Sequence, residues 1–293
     1  MEHRHPGRAY EGWEDKDMRR IPTARMLRPG TPGRGSRRPP TPSWLGPGAP
    51  AARLSLTELP RAALDLAALT AVAPALAADR RGDGHPVLVL PGLVGGDAST
   101  LTLRRYLTWL NYSVSGGGRG MNGAPTEALV SGLRARLQRL AETSGEPVTL
   151  IGWSLGGLYA HELARRAPGS VRQVVTLGSP VRLARSKARA TSQLFDRFSH
   201  LHVAPSLVAR PWSEPGPLRV PATSIYTRSD GIVSWQACLL RAGKRRENVE
   251  VYGSHLGLAL NPTVLHVLAA RLAQPVRTWR PFRPGPLTRH LYP

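Results

Sequence analysis

The sequence predicts an α/β domain, and three observations carry that prediction. Short β-prone runs alternate with helix-period runs over most of the chain after Gly84. Val87-Leu88-Val89-Leu90 is a continuous apolar run, as expected of a strand buried on both faces. Val148–Ile151 leads through Gly152-Trp153-Ser154-Leu155-Gly156 straight into a helix-forming stretch, which reads as strand, sharp turn and helix. With 293 residues and 41% hydrophobic content, the chain is long enough to bury a large core.

The elements follow in order. Residues 1–50 hold nine Pro and seven Gly with no apolar periodicity, and are expected to be a disordered tail. Residues 51–83 form a leading helical segment, with one or two helices over 54–79 packed on the domain. Within it the apolar run Leu66 to Ala78, bounded by Asp65 and Asp79 and interrupted by Pro74, is shorter than the ~18–20 residues of a membrane span. It also starts too far in for a cleavable signal. The main domain covers 84–274. After Val87–Leu90, Asp97 to Leu110 reads as a helix with Leu101, Leu103, Leu107 and Leu110 as its apolar positions. Tyr112–Ser115 is a short strand, Gly116–Gly123 a loop, and about 125–143 a helix. Strand Val148–Ile151, helix Leu155–Arg166 and strand Val171–Leu177 follow. From about 181 to 219 no strand is evident, but Leu194, Phe195, Phe198, Leu201 and His202 share one helical face. That segment is read as a small helical cap over the serine or as a plain packing helix. Strands Ala222–Thr227 and Asn248–Tyr252 and a helix over Pro262–Ala273 complete the domain, and 275–293 is a basic tail expected to be solvated.

Ser154 is the first candidate for chemistry. A turn between strand and helix holds such a serine in a strained conformation with its hydroxyl pushed out, and Gly152 and Gly156 flank it where side chains would not fit. The bland alternative is a helix N-cap serine. A serine hydroxyl needs a neutral imidazole to accept its proton and an acid to orient that imidazole. On sheets of this kind the acid and then the histidine follow, each on a loop after a strand. Asp230 and His255 satisfy both conditions, in Arg228-Ser229-Asp230-Gly231 and Gly253-Ser254-His255. Ligand sites of open α/β sheets lie at that edge. The oxyanion donors would be the backbone N–H groups of Leu93, in the loop Pro91-Gly92-Leu93, and of Leu155, the residue after the nucleophile.

Other candidates are weaker. His161 lies along the helix after Ser154 and His266 in the last helical run, both read as packing or surface histidines. His200 and His202 form a H-x-H pair without the Cys or carboxylate partners of a zinc site, so no metal is expected. Gly118-Arg119-Gly120-Met121-Asn122-Gly123 matches a dinucleotide fingerprint literally, but the acid about 20 residues on, Glu142, falls at a helix end instead of a strand end, so no cofactor is expected.

The residues Val87–Gly92, Gly152–Gly157, Leu177-Gly178-Ser179-Pro180, Asp230 and Gly253–His255 carry a resemblance to the α/β-hydrolase superfamily, and within it to bacterial esterase/lipase-type serine hydrolases. The resemblance spans about Gly84 to Gln274. It implies a mostly parallel central sheet with helices on both faces, and cleavage of a carboxylic ester through an acyl-enzyme. Pro91-Gly92 stands where many members have His-Gly. An acyltransferase or thioesterase with the same triad is the alternative, and a non-catalytic binding protein on the same fold a second.

Charge bounds the partners. The net charge is +21 from 40 Lys+Arg against 19 Asp+Glu, and all but three of the cations are Arg. The excess is spread along the chain and accompanies abundant Ala, Gly and Pro, more like a coding bias than a binding face. Arg277-Thr278-Trp279-Arg280-Pro281-Phe282-Arg283 is basic with interleaved aromatics but lacks a nucleic-acid fold around it. The expected partner is a small acyl ester, with room for weak contact with an anionic membrane and no specific nucleic acid. The single Cys238 excludes an intramolecular disulfide and reads as a buried apolar residue, compatible with a cytoplasmic setting.

Overall fold

Among the described residues, six parallel strands form one sheet, in the spatial order β2-β1-β3-β4-β5-β6. They are β1 (Pro86–Leu90), β2 (Ser113–Ser115), β3 (Val148–Trp153), β4 (Val171–Leu177), β5 (Ala222–Tyr226) and β6 (Arg246–Glu250). The structure is a computed structural model that describes residues 50–93, 95–118, 126–182, 218–275 and 278–293, all within the compact unit Ser43–Pro293. The expected tail 1–49, nearly all of the cap with His200 and His202, and the Gly-rich motif beyond Gly118 lie outside the described residues.

The sheet is buried on both sides because its strands are apolar on both faces, as the Val87–Leu90 run requires. Val87, Val89, Ile151, Val175, Ile225 and Val249 point into one core with α3 (Leu101–Trp109) and α7 (Pro262–Leu272), the short α6 being Trp235–Cys238. Leu88, Leu90, Leu150 and Val174 point into the other, with α4 (Glu127–Ser144) and α5 (Leu155–Arg166). Local chemistry sets the helix ends. The Thr126 hydroxyl accepts the Leu129 N–H and Gly145 closes α4 at φ +70°. Asn261 caps α7 by accepting the N–H groups of Thr263 and Val264, with Pro262 in the first turn, where its missing N–H costs nothing.

Register aligns the strand ends. Leu90 pairs with Gly152, Trp153 with Leu177, Leu177 with Ile225 and Tyr226 with Glu250, so the loops after β1, β3, β4, β5 and β6 emerge along one edge. The strand order switches sides between β1 and β3, with β2 added to one side of β1 and β3–β6 to the other, which places the crevice of an open α/β sheet beside the ends of those two strands.

Three local differences from the sequence reading have physical reasons. The sixth strand begins at Arg246 rather than Asn248, because its early positions are filled by paired polar groups instead of apolar ones. Thr223 and Arg271 both donate to Glu247, at 2.8 and 2.6 Å, so the alternation is hidden. The helix after β1 opens as a 3-10 turn over Asp97–Thr100, with the Asp97 carboxylate occupied by the N–H groups of Gly117 and Gly118. The C-terminal stretch, expected to be a solvated tail, is tied to the domain. The Phe282 N–H donates to Glu247, Arg271 donates to the Arg280 carbonyl, and Phe282 and Tyr292 pack against the first core.

Among the described residues, two helices precede β1: α1 (Ala52–Leu56) and α2 (Glu58–Leu76). The leading segment packs on the domain through its charged residues. Its charged residues Glu58 and Asp65 are buried, while Leu59 and Leu64 are exposed.

Candidate active site

Ser154 stands between the last residue of β3 and the first of α5, at φ +52° and ψ −119°. A non-glycine residue in that region is strained, and the surroundings hold it there. Its N–H donates to the Leu177 carbonyl at 2.8 Å, and its own carbonyl accepts the Gly157 N–H. The flanking glycines are required by close approach: a Cβ on Gly152 would overlap the Gly157 backbone, and one on Gly156 would overlap the Leu90 carbonyl oxygen. Gly156 therefore serves the crossing of α5 over β1 rather than over β3. Gly156→Ala is expected to destabilise the fold by about 3 kcal/mol or more, because backbone cannot yield as a flexible side chain does. Thermal denaturation measures it.

Asp230 and His255 lie in the loops after β5 and β6, and both are buried. His255 Nδ1 is 2.6 Å from Asp230 Oδ2. The other carboxylate oxygen, Oδ1, accepts the N–H groups of Ile232 at 2.8 Å and Val233 at 2.6 Å, which fixes the carboxylate's rotation. With Nδ1–H directed at Asp230, Nε2 is the nitrogen left to accept a proton. Burial disfavours the imidazolium, but the Asp230 charge and hydrogen bond, with a smaller contribution from the Glu58 charge, outweigh it and hold the His255 pKa above its ordinary 6.5. The histidine loop is tied to the serine turn, since Trp153 Nε1 donates to the His255 carbonyl at 3.0 Å. Gly178, the residue after the Leu177 carbonyl that holds Ser154, sits so close to the imidazole that a Cβ there would stand 3.0 Å from Nδ1.

The loop after β1 approaches from the other side. A Cβ on Gly92 would stand 3.3 Å from Ser154 Cβ, which puts the adjoining, half-buried Leu93 beside the serine turn. Leu155 is the first residue of α5, so its N–H is one of the helix's donors without an intrahelical partner, at the positive end of the helix dipole. All five residues singled out from sequence thus lie along one edge of the sheet. Asp230 and His255 are in direct contact.

Two other candidate histidines, His161 and His266, stand apart. His161 is buried within α5, where burial first, then the charges of Arg165 and Arg246, lower its pKa to about 3, so it packs as a neutral ring. His266 Nδ1 pairs with Asp79 at 2.7 Å on α7. Cys238 is buried, and its thiol pKa is pushed up by burial and by Asp230. Among the described residues no group of three His, Cys, Asp or Glu side chains could hold a metal ion.

Sequence reasoning missed a polar clasp from α2. Glu58 Oε1 accepts the Gly231 N–H at 2.7 Å, and Oε2 accepts the Leu256 N–H at 2.9 Å. One carboxylate thus holds the residue after Asp230 and the residue after His255. Arg61 pairs with Glu58 at 2.8 Å and donates to the carbonyls of Ser229 and Gly253, at 2.7 and 3.2 Å. Asp65 accepts the Ser254 hydroxyl at 2.8 Å and the Asn261 amide at 2.8 Å. The available signal was the spacing: 58, 61 and 65 share one face of a helix, and they are nearly the only charges in an apolar run.

A family model described as alpha/beta hydrolase fold matches residues 114–210, a stretch that includes Ser154 and stops short of Asp230 and His255. No curated protein sequence matches the chain significantly. Among solved structures, lipase B of Aspergillus fumigatus is similar at TM-score 0.49 and 16% identity, over 65% of this chain and 52% of that one. The mouse alpha/beta hydrolase domain-containing protein 10 is similar at TM-score 0.48 and 16% identity, over 65% and 88%. A monoacylglycerol lipase of Paleococcus ferrophilus gives TM-score 0.46 and 16% identity, over 66% and 96%. The six-stranded parallel sheet and the serine turn after β3 give the chain an alpha/beta hydrolase fold, and the family model of that description matches it over residues 114–210.

Proposed function

We propose that the protein is a serine hydrolase that cleaves carboxylic esters. One observation carries the reading: a serine held at positive φ at the head of a helix, on the same sheet edge as a buried histidine whose Nδ1 is engaged by a carboxylate. In the proposed reaction the Ser154 hydroxyl attacks the ester carbonyl carbon while His255 Nε2 takes its proton. The N–H groups of Leu93 and Leu155 donate to the oxyanion, the charge that develops in the transition state. The carbon–oxygen bond to the alcohol then breaks, and the imidazolium returns the proton to the leaving oxygen. Water, deprotonated by the same imidazole, attacks the acyl carbon; the bond from that carbon to Ser154 Oγ breaks, the imidazolium returns the proton to Oγ, and the acid is released. The cycle closes on these residues and water, without a cofactor.

The test is covalent labelling with a fluorophosphonate probe. Wild-type protein should be labelled at Ser154 by peptide mapping, and Ser154→Ala should not be labelled at all. Folded wild-type protein that resists the probe would count against an activated serine, and labelling that persists in the variant would put the nucleophile elsewhere.

A pH profile adds a second check. The base must be neutral, and His255 is held above the ordinary imidazole pKa, so kcat/KM should rise with pH along a limb centred above 6.5. A profile flat from pH 5 to 8 would rule out His255 as the base.

A further inference from the structure

The helix α2 is built inside out. Its charged residues Glu58, Arg61 and Asp65 turn towards the protein and are spent on the loops after β5 and β6. Between Leu59 and Ala78 no other residue is charged, and the outward side is apolar. Leu56, just before the helix, is 83% exposed, and on it Leu59 is 73% and Leu64 69% exposed, with Leu66 and Val72 also exposed. By length and composition the helix could cross a membrane. Glu58 and Asp65 are buried and Arg61 half-buried, and together they bind the helix along the domain surface, so that it lies beside the protein with its apolar side chains exposed. Contiguous apolar surface of this kind marks a place where something else docks.

We propose that this outer face of α2 rests on an anionic lipid surface, with the helix lying in the plane of the interface. Charge selects lipid over a second copy of the chain: at +21, two copies would repel as the faces met, whereas an anionic surface attracts them. Exposed arginines stand at both ends of the helix, Arg53 before it and Arg80 and Arg81 after it. Trp109 of the neighbouring α3 is exposed, with the Arg81 guanidinium 5.6 Å from its ring centre, an aromatic–cation pair suited to the headgroup level. Between α2 and α3 runs an apolar cleft of ≈ 420 Å³ lined by Leu69, Leu76, Tyr106 and Trp109, with Arg105 also in its wall, which suits part of an acyl chain beside an anionic headgroup. The proposal does not depend on ester hydrolysis.

Flotation of the full chain with vesicles tests it, using phosphatidylcholine alone or mixed with phosphatidylglycerol. Wild-type protein should float with the mixed vesicles and far less with phosphatidylcholine, and high salt should release it. The double variant Leu59→Glu/Leu64→Glu changes only exposed positions and should fold normally. Its partition onto mixed vesicles should fall at least ~10-fold, with labelling of Ser154 unchanged. Four results would overturn the proposal. They are wild-type protein that does not float, a variant that floats equally well, protein that stays with the vesicles through high salt and alkali as a spanning helix would, and a wild-type dimer in solution that the variant dissociates.

Discussion

Asp230→Asn is expected to lower kcat for an ester substrate about 10⁴-fold while leaving the fold intact. The carboxylate's surroundings decide which way the amide turns. Oδ1 accepts two backbone N–H groups, from Ile232 and Val233, and only Oδ2 faces His255. An amide oxygen will keep the position between the two donors, since an NH₂ group there would oppose both N–H groups. The NH₂ then points at Nδ1 and makes that nitrogen the acceptor. The imidazole proton moves to Nε2, the atom that takes the serine proton in the proposed reaction. The substitution thus selects the wrong tautomer without creating a cavity, so the melting temperature should change little. Steady-state kinetics with a chromogenic ester measures the loss, and ¹⁵N chemical shifts of His255 report the tautomer. A variant within tenfold of wild type would mean that Asp230 only braces its loop. Loss of activity with unchanged ¹⁵N shifts would point to a different cause.

The part of this arrangement that was legible in sequence is the part written in local chemistry. Val87–Leu90 announced a strand with two buried faces because every residue in it is apolar. The serine turn was readable because its glycines are forced by steric contact with the neighbouring backbone. Asp230 and His255 could be placed on loops at the sheet edge because each directly follows a β-prone run. What stayed hidden depended on distant partners. Arg246 and Glu247 do not look like strand residues until Leu218, Thr223 and Arg271 are seen to satisfy them. The docked face of α2 was misleading for the same reason. Apolar residues are ordinarily the buried ones, and here the buried ones are Glu58 and Asp65, whose partners lie more than 150 residues away in the chain.

That inversion makes Glu58 the residue whose role is most open to a decisive test. Its carboxylate joins the two loops that carry Asp230 and His255, and its charge helps hold the His255 pKa up. We expect Glu58→Gln to act as loss of a positioning residue, since the hydrogen bonds of its carboxylate go to the Gly231 and Leu256 N–H groups and to Arg61. A glutamine can accept one of the two backbone N–H groups and presents its NH₂ to the other, so one buried donor loses its partner. A lost bond to a charged acceptor costs about 1.5–3 kcal/mol, divided between stability and the precision of the Asp230–His255 pair. A drop of about 2 kcal/mol in stability would lower the melting temperature by about 4–8 °C. The catalytic share should appear as a roughly tenfold fall in kcat with KM nearly unchanged, each tenfold corresponding to about 1.4 kcal/mol. The sign of the pH effect separates positioning from plain destabilisation. Removing a negative charge removes a stabiliser of the imidazolium, so the His255 pKa falls and the acid limb of kcat/KM moves to lower pH. Simple loosening of the fold offers no reason for the limb to move that way. A variant that is less stable but keeps the wild-type limb and kcat would confine Glu58 to holding α2 in place. Glu58→Asp keeps the charge but is too short to span both loops. It should retain the wild-type limb while losing kcat, which separates the electrostatic from the geometric contribution of a single carboxylate.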